Sequence, residues 1–176
     1  MTDLEIENAL RDRRDEALVW LMDHYGALVY RVCFGVLGIP EDAEEVAEDV
    51  FVSLWRKRNY RADRGKIGTF LCLRARSLSI DRLRSKLRLP TEELPDTLCA
   101  EDALAGVEDE EVLLFVGDIL SGLPHPEQEI LRLRFLLELP ARLIAKRLEL
   151  PTEEVYAVVR KGKNLLKKRL SELKGE

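Results

Sequence analysis

Residues Arg56–Arg88 read RKRNYRADRGKIGTFLCLRARSLSIDRLRSKLR, and the way this run divides decides the fold. Asn59 to Gly68 is polar and holds two glycines, Gly65 and Gly68, which marks a loop. From about Thr69 to Arg88 the pattern becomes helical. On a helical projection Arg74, Ser77, Asp81, Arg84, Ser85 and Arg88 fall on one polar arc. Cys72, Leu73, Ile80, Leu83 and Leu87 fall opposite and form the expected core stripe. The whole run carries 12 Lys+Arg against two acids, Asp63 and Asp81, with Tyr60 and Phe70 among the charges and Trp55 just before them. Cations beside flat rings are the groups that hold a phosphate backbone and stack on exposed bases.

Working outward, Leu18, Leu21, Met22, Tyr25, Leu28, Val29, Val32, Cys33 and Val36 recur at three- and four-residue steps, one apolar stripe on a long helix. Gly38 ends it and Pro40 suits the first turn of the next. That second helix has the stripe Ala43, Val46, Ala47, Val50, Phe51 and Leu54. Its opposite face carries Glu41, Asp42, Glu44, Glu45, Glu48 and Asp49. Acids in the first turns complement the helix dipole, so dipole stabilisation and a partner surface both account for them.

Charge is partitioned along the 176 residues. Residues 1–55 balance at -9, 56–88 at +10, 89–131 at -12 and 132–176 at +6, within a net charge of -5. Two basic segments separated by a solvated acidic spacer suggest two nucleic-acid-facing regions. With 46% hydrophobic and 35% charged residues the composition is that of a globular chain with a charged surface. No apolar run approaches the length of a membrane span, and no signal-peptide pattern opens the chain. Cys33, Cys72 and Cys99 are odd in number and scattered, as apolar fillers in a reducing compartment would be, so a cytoplasmic location is expected.

Leu89 to about Asp109 contains Pro90 and Pro95 and no base, and reads as a linker. The chain is therefore expected to be all-α, with helical domains at 1–88 and 110–176 joined by an acidic linker at 89–109. From Glu111 the stripe Val112, Leu113, Val116, Ile119 and Leu120 leads to Gly122 and Pro124. Ile130, Leu131 and Phe135 belong to the next helix. A short helix with Leu143, Ile144, Ala145 and Leu148, a turn at Glu149-Leu150-Pro151, and a longer basic helix give the outline of a helix-turn-helix. Thr152 is the expected N-cap of that last helix.

Three stretches resemble the extracytoplasmic-function group of bacterial sigma factors, in the order and spacing of that family. DAEEVAEDVFVSLWR (Asp42–Arg56) is similar to the region 2 helix that docks on RNA polymerase. GTFLCLRARSLSIDRLR (Gly68–Arg84) is similar to the helix that reads the melted -10 element. LPHPEQEILRLRF and LIAKRLELPTEEV are similar to the region 4 helix-turn-helix.

The resemblance implies a promoter-recognition subunit that binds core RNA polymerase and promoter DNA, with an anti-sigma protein as a candidate further partner. It implies that Asp42, Glu45, Glu48, Asp49, Phe51 and Trp55 meet the polymerase, core packing being the alternative for Phe51 and Trp55. The -10 strand would meet Tyr60, Arg61, Arg64, Lys66, Arg74, Arg76, Ser77, Asp81 and Arg84. The -35 element would meet Thr152, Tyr156, Arg160, Lys161 and Lys163. Departures are specific. Ser77 stands where the family usually has Asn, Phe70 where Trp is common, and Glu48 where Gln is common. Glu149 replaces the usual turn Gly. Glu153 and Glu154 open the recognition helix, where carboxylates oppose the positive pole that attracts phosphate.

A degenerate sigma-like regulatory module with weak or no -35 binding is the alternative reading, and an ordinary helix-turn-helix repressor leaves Asp42–Arg84 unexplained. Enzymatic function is not expected. His24 and His125 are isolated, no metal-ligand spacing occurs, and no Gly-rich phosphate loop follows a strand, so neither metal nor cofactor is expected.

Overall fold

The structure is a computed structural model and describes residues 1–88, 117–173 and 175. The expected linker at 89–109, and most of the helix expected from Glu111, lie outside the described residues. Every regular element among the described residues is helical, so the fold is all-α. The chain divides into two compact units, Met1–Gly117 and Asp118–Glu176.

The first unit is built from α1 (Asp3–Arg11), α2 (Asp15–Leu37), α3 (Pro40–Lys57) and α4 (Ile67–Leu87), with a single 3-10 turn at Ala62–Arg64 between α3 and α4. Helix α1 was not expected. Thr2 and Glu5 close a capping box at its start, each side chain satisfying the other's backbone N–H. Those hydrogen bonds, the backbone one first, hold the Glu5 carboxyl below its usual range. Helix α1 buries Ile6, Ala9 and Leu10 in the core.

Helices α2, α3 and α4 pack on one another around Leu21, Val29, Val32, Cys33, Val46, Val50, Phe51, Leu54, Leu71, Cys72 and Ala75. Gly38 ends α2 in the left-handed region at φ 69°, and Pro40 occupies the first turn of α3, as expected. Met22, expected in the α2 stripe, is 45% exposed. The stripe on α4 is also displaced. Its buried residues are Ile67, Gly68, Leu71, Cys72, Ala75 and Ser79, whereas Leu73, Ile80, Leu83 and Leu87 are only half-buried. Gly68, Cys72, Ala75 and Ser79 share that face with Ile67 and Leu71, so a stripe drawn through the bulky residues does not capture it.

In the second unit, residues 118–121 are helical and lead to Gly122, whose N–H donates to the Asp118 carbonyl. Then follow α5 (Glu127–Phe135), α6 (Ala141–Leu148) and α7 (Thr152–Leu173). Leu120, Ile130, Leu131, Leu133, Leu137, Ile144, Val155 and Val159 form the core. Gly162 sits so close to Leu131 that an added Cβ would stand 2.5 Å from its Cδ2, so glycine sets the approach of α7 to α5. Helix α6 ends on Glu149 in the left-handed region, with its N–H on the Ala145 carbonyl. The Leu150 N–H donates to the same oxygen at 3.0 Å. The Pro151 carbonyl accepts from Val155 N–H at 3.3 Å, so Pro151 holds the cap position and Thr152 is the first helical residue, not the N-cap.

Candidate nucleic-acid interface

The loop between α3 and α4 folds over a cleft of about 400 Å³ lined by Asn59, Tyr60, Arg61, Arg64, Gly65, Lys66, Thr69, Phe70 and Leu73. A chain with so little regular structure must find partners for its backbone donors. Here they come from α1. Ala62 N–H donates to Glu7 Oε2 at 2.8 Å, and Ile67 N–H donates to Asp3 Oδ1 at 2.9 Å.

Tyr60 is the principal correction to the expected interface. It is 3% exposed, with its hydroxyl 2.8 Å from Asp3 Oδ1 and 2.9 Å from the Gly65 carbonyl. Burial, and then the neighbouring Asp3 carboxylate, push its phenol far above the usual range. The ring is the floor of the cleft and cannot stack on a base. Its edge meets Phe70 at a centroid distance of 5.5 Å and 62°. Phe70 is half-buried and lines the cleft, and so is the ring available to a ligand.

The cations of the loop differ in availability. Arg61 Nε lies 3.3 Å from Asp63 and 3.6 Å from Glu7, so its charge is already countered. Arg64 and Lys66 are exposed, with no ion pair among the described residues. On α4, Phe70, Arg74, Ser77, Asp81 and Arg84 share the face opposite the buried one, so cleft and polar arc form one continuous surface. Arg74 is tethered, donating to Ser53 Oγ at 2.9 Å. Ser77 and Arg84 are half-buried, Asp81 is exposed, and Arg76 is half-buried on the flank of the arc.

The acidic face of α3 is divided by contacts that the sequence did not reveal. Asp42 is 8% exposed and pairs with Lys86 of α4, with Arg82 Nη1 at 3.7 Å. Glu45 is exposed but accepts from Arg82 at 2.9 Å. Those carboxylates, Glu45 before Asp42, hold the Arg82 guanidinium above its usual range. Phe51 lies in the core, and Trp55 is half-buried against the same core. Of the six residues expected on this face, Glu48 and Asp49 are exposed with no ion pair among the described residues. Arg82 and Lys86 were missed. Their signal was the i, i+4 spacing on the side of α4 that continues its core face.

In the second unit, Tyr156 is 53% exposed. Arg160 and Lys163 lie on the same exposed face of α7, as does Glu153, one turn nearer its N-terminus. Lys161 is 3.5 Å from Glu127 of α5, and Thr152 is half-buried. Among the described residues no group of three His, Cys, Asp or Glu side chains could hold a metal ion, and no helix is long and apolar enough to cross a membrane.

The chain is similar to several known proteins. The sigma-70 region 2 family model matches residues 21–89, which takes in α2, α3, the loop and α4. The chain is 24% identical over 173 residues to the ECF RNA polymerase sigma factor SigW of Bacillus subtilis, spanning 90% of this chain and 91% of that protein. It is 26% identical over 168 residues to the ECF RNA polymerase sigma factor RpoE of Cereibacter sphaeroides, spanning 93% and 92%. A solved structure of CnrH in complex with the cytosolic domain of CnrY aligns over 97% of both chains, with a TM-score of 0.46 and 17% identity.

Proposed function

We infer, on the premise that this chain is a sigma factor of the extracytoplasmic-function group, that it recruits core RNA polymerase to promoters by holding one strand of the opened -10 element in the cleft beside α4. The observation that carries this reading is the cleft itself. It offers two uncommitted cations, Arg64 and Lys66, next to an accessible ring, Phe70, on a surface continuous with the polar arc of α4. Phosphates and an unstacked base need those groups at that proximity. Exposed Glu48 and Asp49, with half-buried Trp55, form the proposed contact with polymerase. Helix α7 would approach the -35 duplex through Tyr156, Arg160 and Lys163. The proposed partners are core polymerase, promoter DNA and an inhibitory anti-sigma protein.

Reconstitution with core polymerase, followed by run-off transcription and titration of single-stranded DNA against salt, tests the assignment. Each phosphate contact on a single strand adds about 0.7 to the slope of log affinity against log salt. Arg64→Ala with Lys66→Ala is therefore expected to lower the slope by about 1.4. Failure of the chain to bind core polymerase overturns it. The second reading, a sigma-like regulatory module without -35 binding, is favoured by Glu153 and Glu154 at the start of α7. Absence of duplex binding at low salt would select it.

A further inference from the structure

The loop that carries Arg64 and Lys66 is held by a helix that precedes it in the chain by more than fifty residues. Helix α4 begins without a side-chain cap of its own, since Lys66 at the cap position makes no such bond. Its first N–H, on Ile67, is instead satisfied by Asp3 Oδ1 at 2.9 Å. A carboxylate there also faces the positive end of the α4 dipole. The same oxygen takes the Tyr60 hydroxyl at 2.8 Å, tying the floor of the cleft to the start of α4. One turn further along α1, Glu7 accepts from Ala62 N–H at 2.8 Å and lies 3.6 Å from Arg61. The segment between these anchors is the one that presents Arg64 and Lys66.

We propose that Asp3 and Glu7 are positioning residues for single-stranded DNA, two carboxylates on α1 that fix the shape of the cleft and decide which of its cations are free. A loop already ordered in its binding shape does not lose that freedom when the ligand arrives. The two acids would repel phosphate if they were bare, but here each is occupied by donors from the loop. Glu7 also engages Arg61 and leaves the other two cations outward. The proposal rests on the reading of the cleft given above.

The test uses the full chain bound to core polymerase, with a fluorescent pool of short random-sequence single-stranded DNA as probe. Asp3→Ala removes the acceptor, Asp3→Asn keeps an oxygen in the same place, and Tyr60→Phe removes only the hydroxyl. Asp3→Ala is expected to weaken DNA binding about tenfold and to speed hydrogen exchange at Ile67, with a modest fall in melting temperature from the lost cap and affinity for core polymerase near wild type. Asp3→Asn is expected to restore most of the loss, and Tyr60→Phe to give part of it. DNA affinity unchanged in Asp3→Ala, or no rescue by Asp3→Asn, overturns the proposal while the cleft stands. A parallel fall in melting temperature and polymerase affinity makes Asp3 a purely structural residue and overturns it as well. If wild-type holoenzyme does not hold the DNA, the reading of the cleft fails first and this inference falls with it.

Discussion

Arg82 of α4 donates to Glu45 of α3 at 2.9 Å and lies 3.7 Å from Asp42, which also pairs with Lys86. The proposed DNA-facing helix and the proposed polymerase-facing helix are thus braced to each other through charges that either partner could otherwise have claimed. Asp42 is buried, so its loss would leave Lys86 without its acceptor and Arg82 with Glu45 alone.

Asp42→Ala is accordingly expected to destabilise the first unit by about 1–2 kcal/mol, the exposure of Lys86 keeping the figure low. Glu48→Ala and Asp49→Ala, on the exposed face, are expected to change stability by less than about 0.5 kcal/mol. Their effect is expected instead on association with core polymerase, which slows and loses salt dependence. Urea melts beside polymerase association kinetics separate the two groups. Equal effects on stability would refute the division of this face.

Burial pushes the Cys33 thiol up to about 11, and the Ser79 hydroxyl pulls it back only in part. In the unfolded chain the thiol loses its proton near 9, while the folded chain keeps it until about 11. Between those values the unfolded state binds fewer protons, so stability falls as pH rises through the window. The loss is expected to approach about 2–3 kcal/mol at its upper end. Cys33→Ala is expected to flatten that part of the profile in urea melts taken at pH 8 and at pH 10.5. An unchanged slope refutes the assignment.

Glu149 ends α6 at φ 55°, where a side chain with a Cβ is disfavoured and glycine is not. Glu149→Gly is expected to stabilise the second unit by about 1 kcal/mol. Hydrogen exchange of the α6 and α7 amides reads this directly, as a slowing. Faster exchange would mean that the carboxylate makes a compensating contribution to the turn.

Glu153 and Glu154 are exposed at the start of α7 and place negative charge at its positive pole. Replacing both by Gln is expected to raise duplex affinity about 3- to 30-fold at low salt. Anisotropy with duplex DNA of mixed sequence measures it. A fall in affinity would instead assign one of them a contact to a base, since Glu can accept from cytosine N4.

Much of this protein was written locally. The helices α2, α3 and α7, the stop at Gly38 and the start at Pro40 follow from spacing and caps that operate within a few residues. The helix-turn-helix outline and the basic character of 56–88 were equally legible. So was the signal for α1, because Thr2-Asp3-Leu4-Glu5 is a capping box, but its apolar set of Ile6, Ala9 and Leu10 is too short to show a helical period.

What the sequence by itself determined is which segments are helices, where they stop and which stretches are rich in cations, because those properties depend on neighbours three or four residues away. Only the tertiary structure decided which of those groups remain available. Tyr60 and Asp3 meet across 57 residues, and Lys86 and Asp42 across 44. Arg74 is tied to Ser53, and Arg61 to Glu7. The physical reason is that a charge or a ring advertises the same chemistry wherever it stands in the chain. Whether folding has already satisfied that chemistry depends on what packing brings within about 3 Å of it.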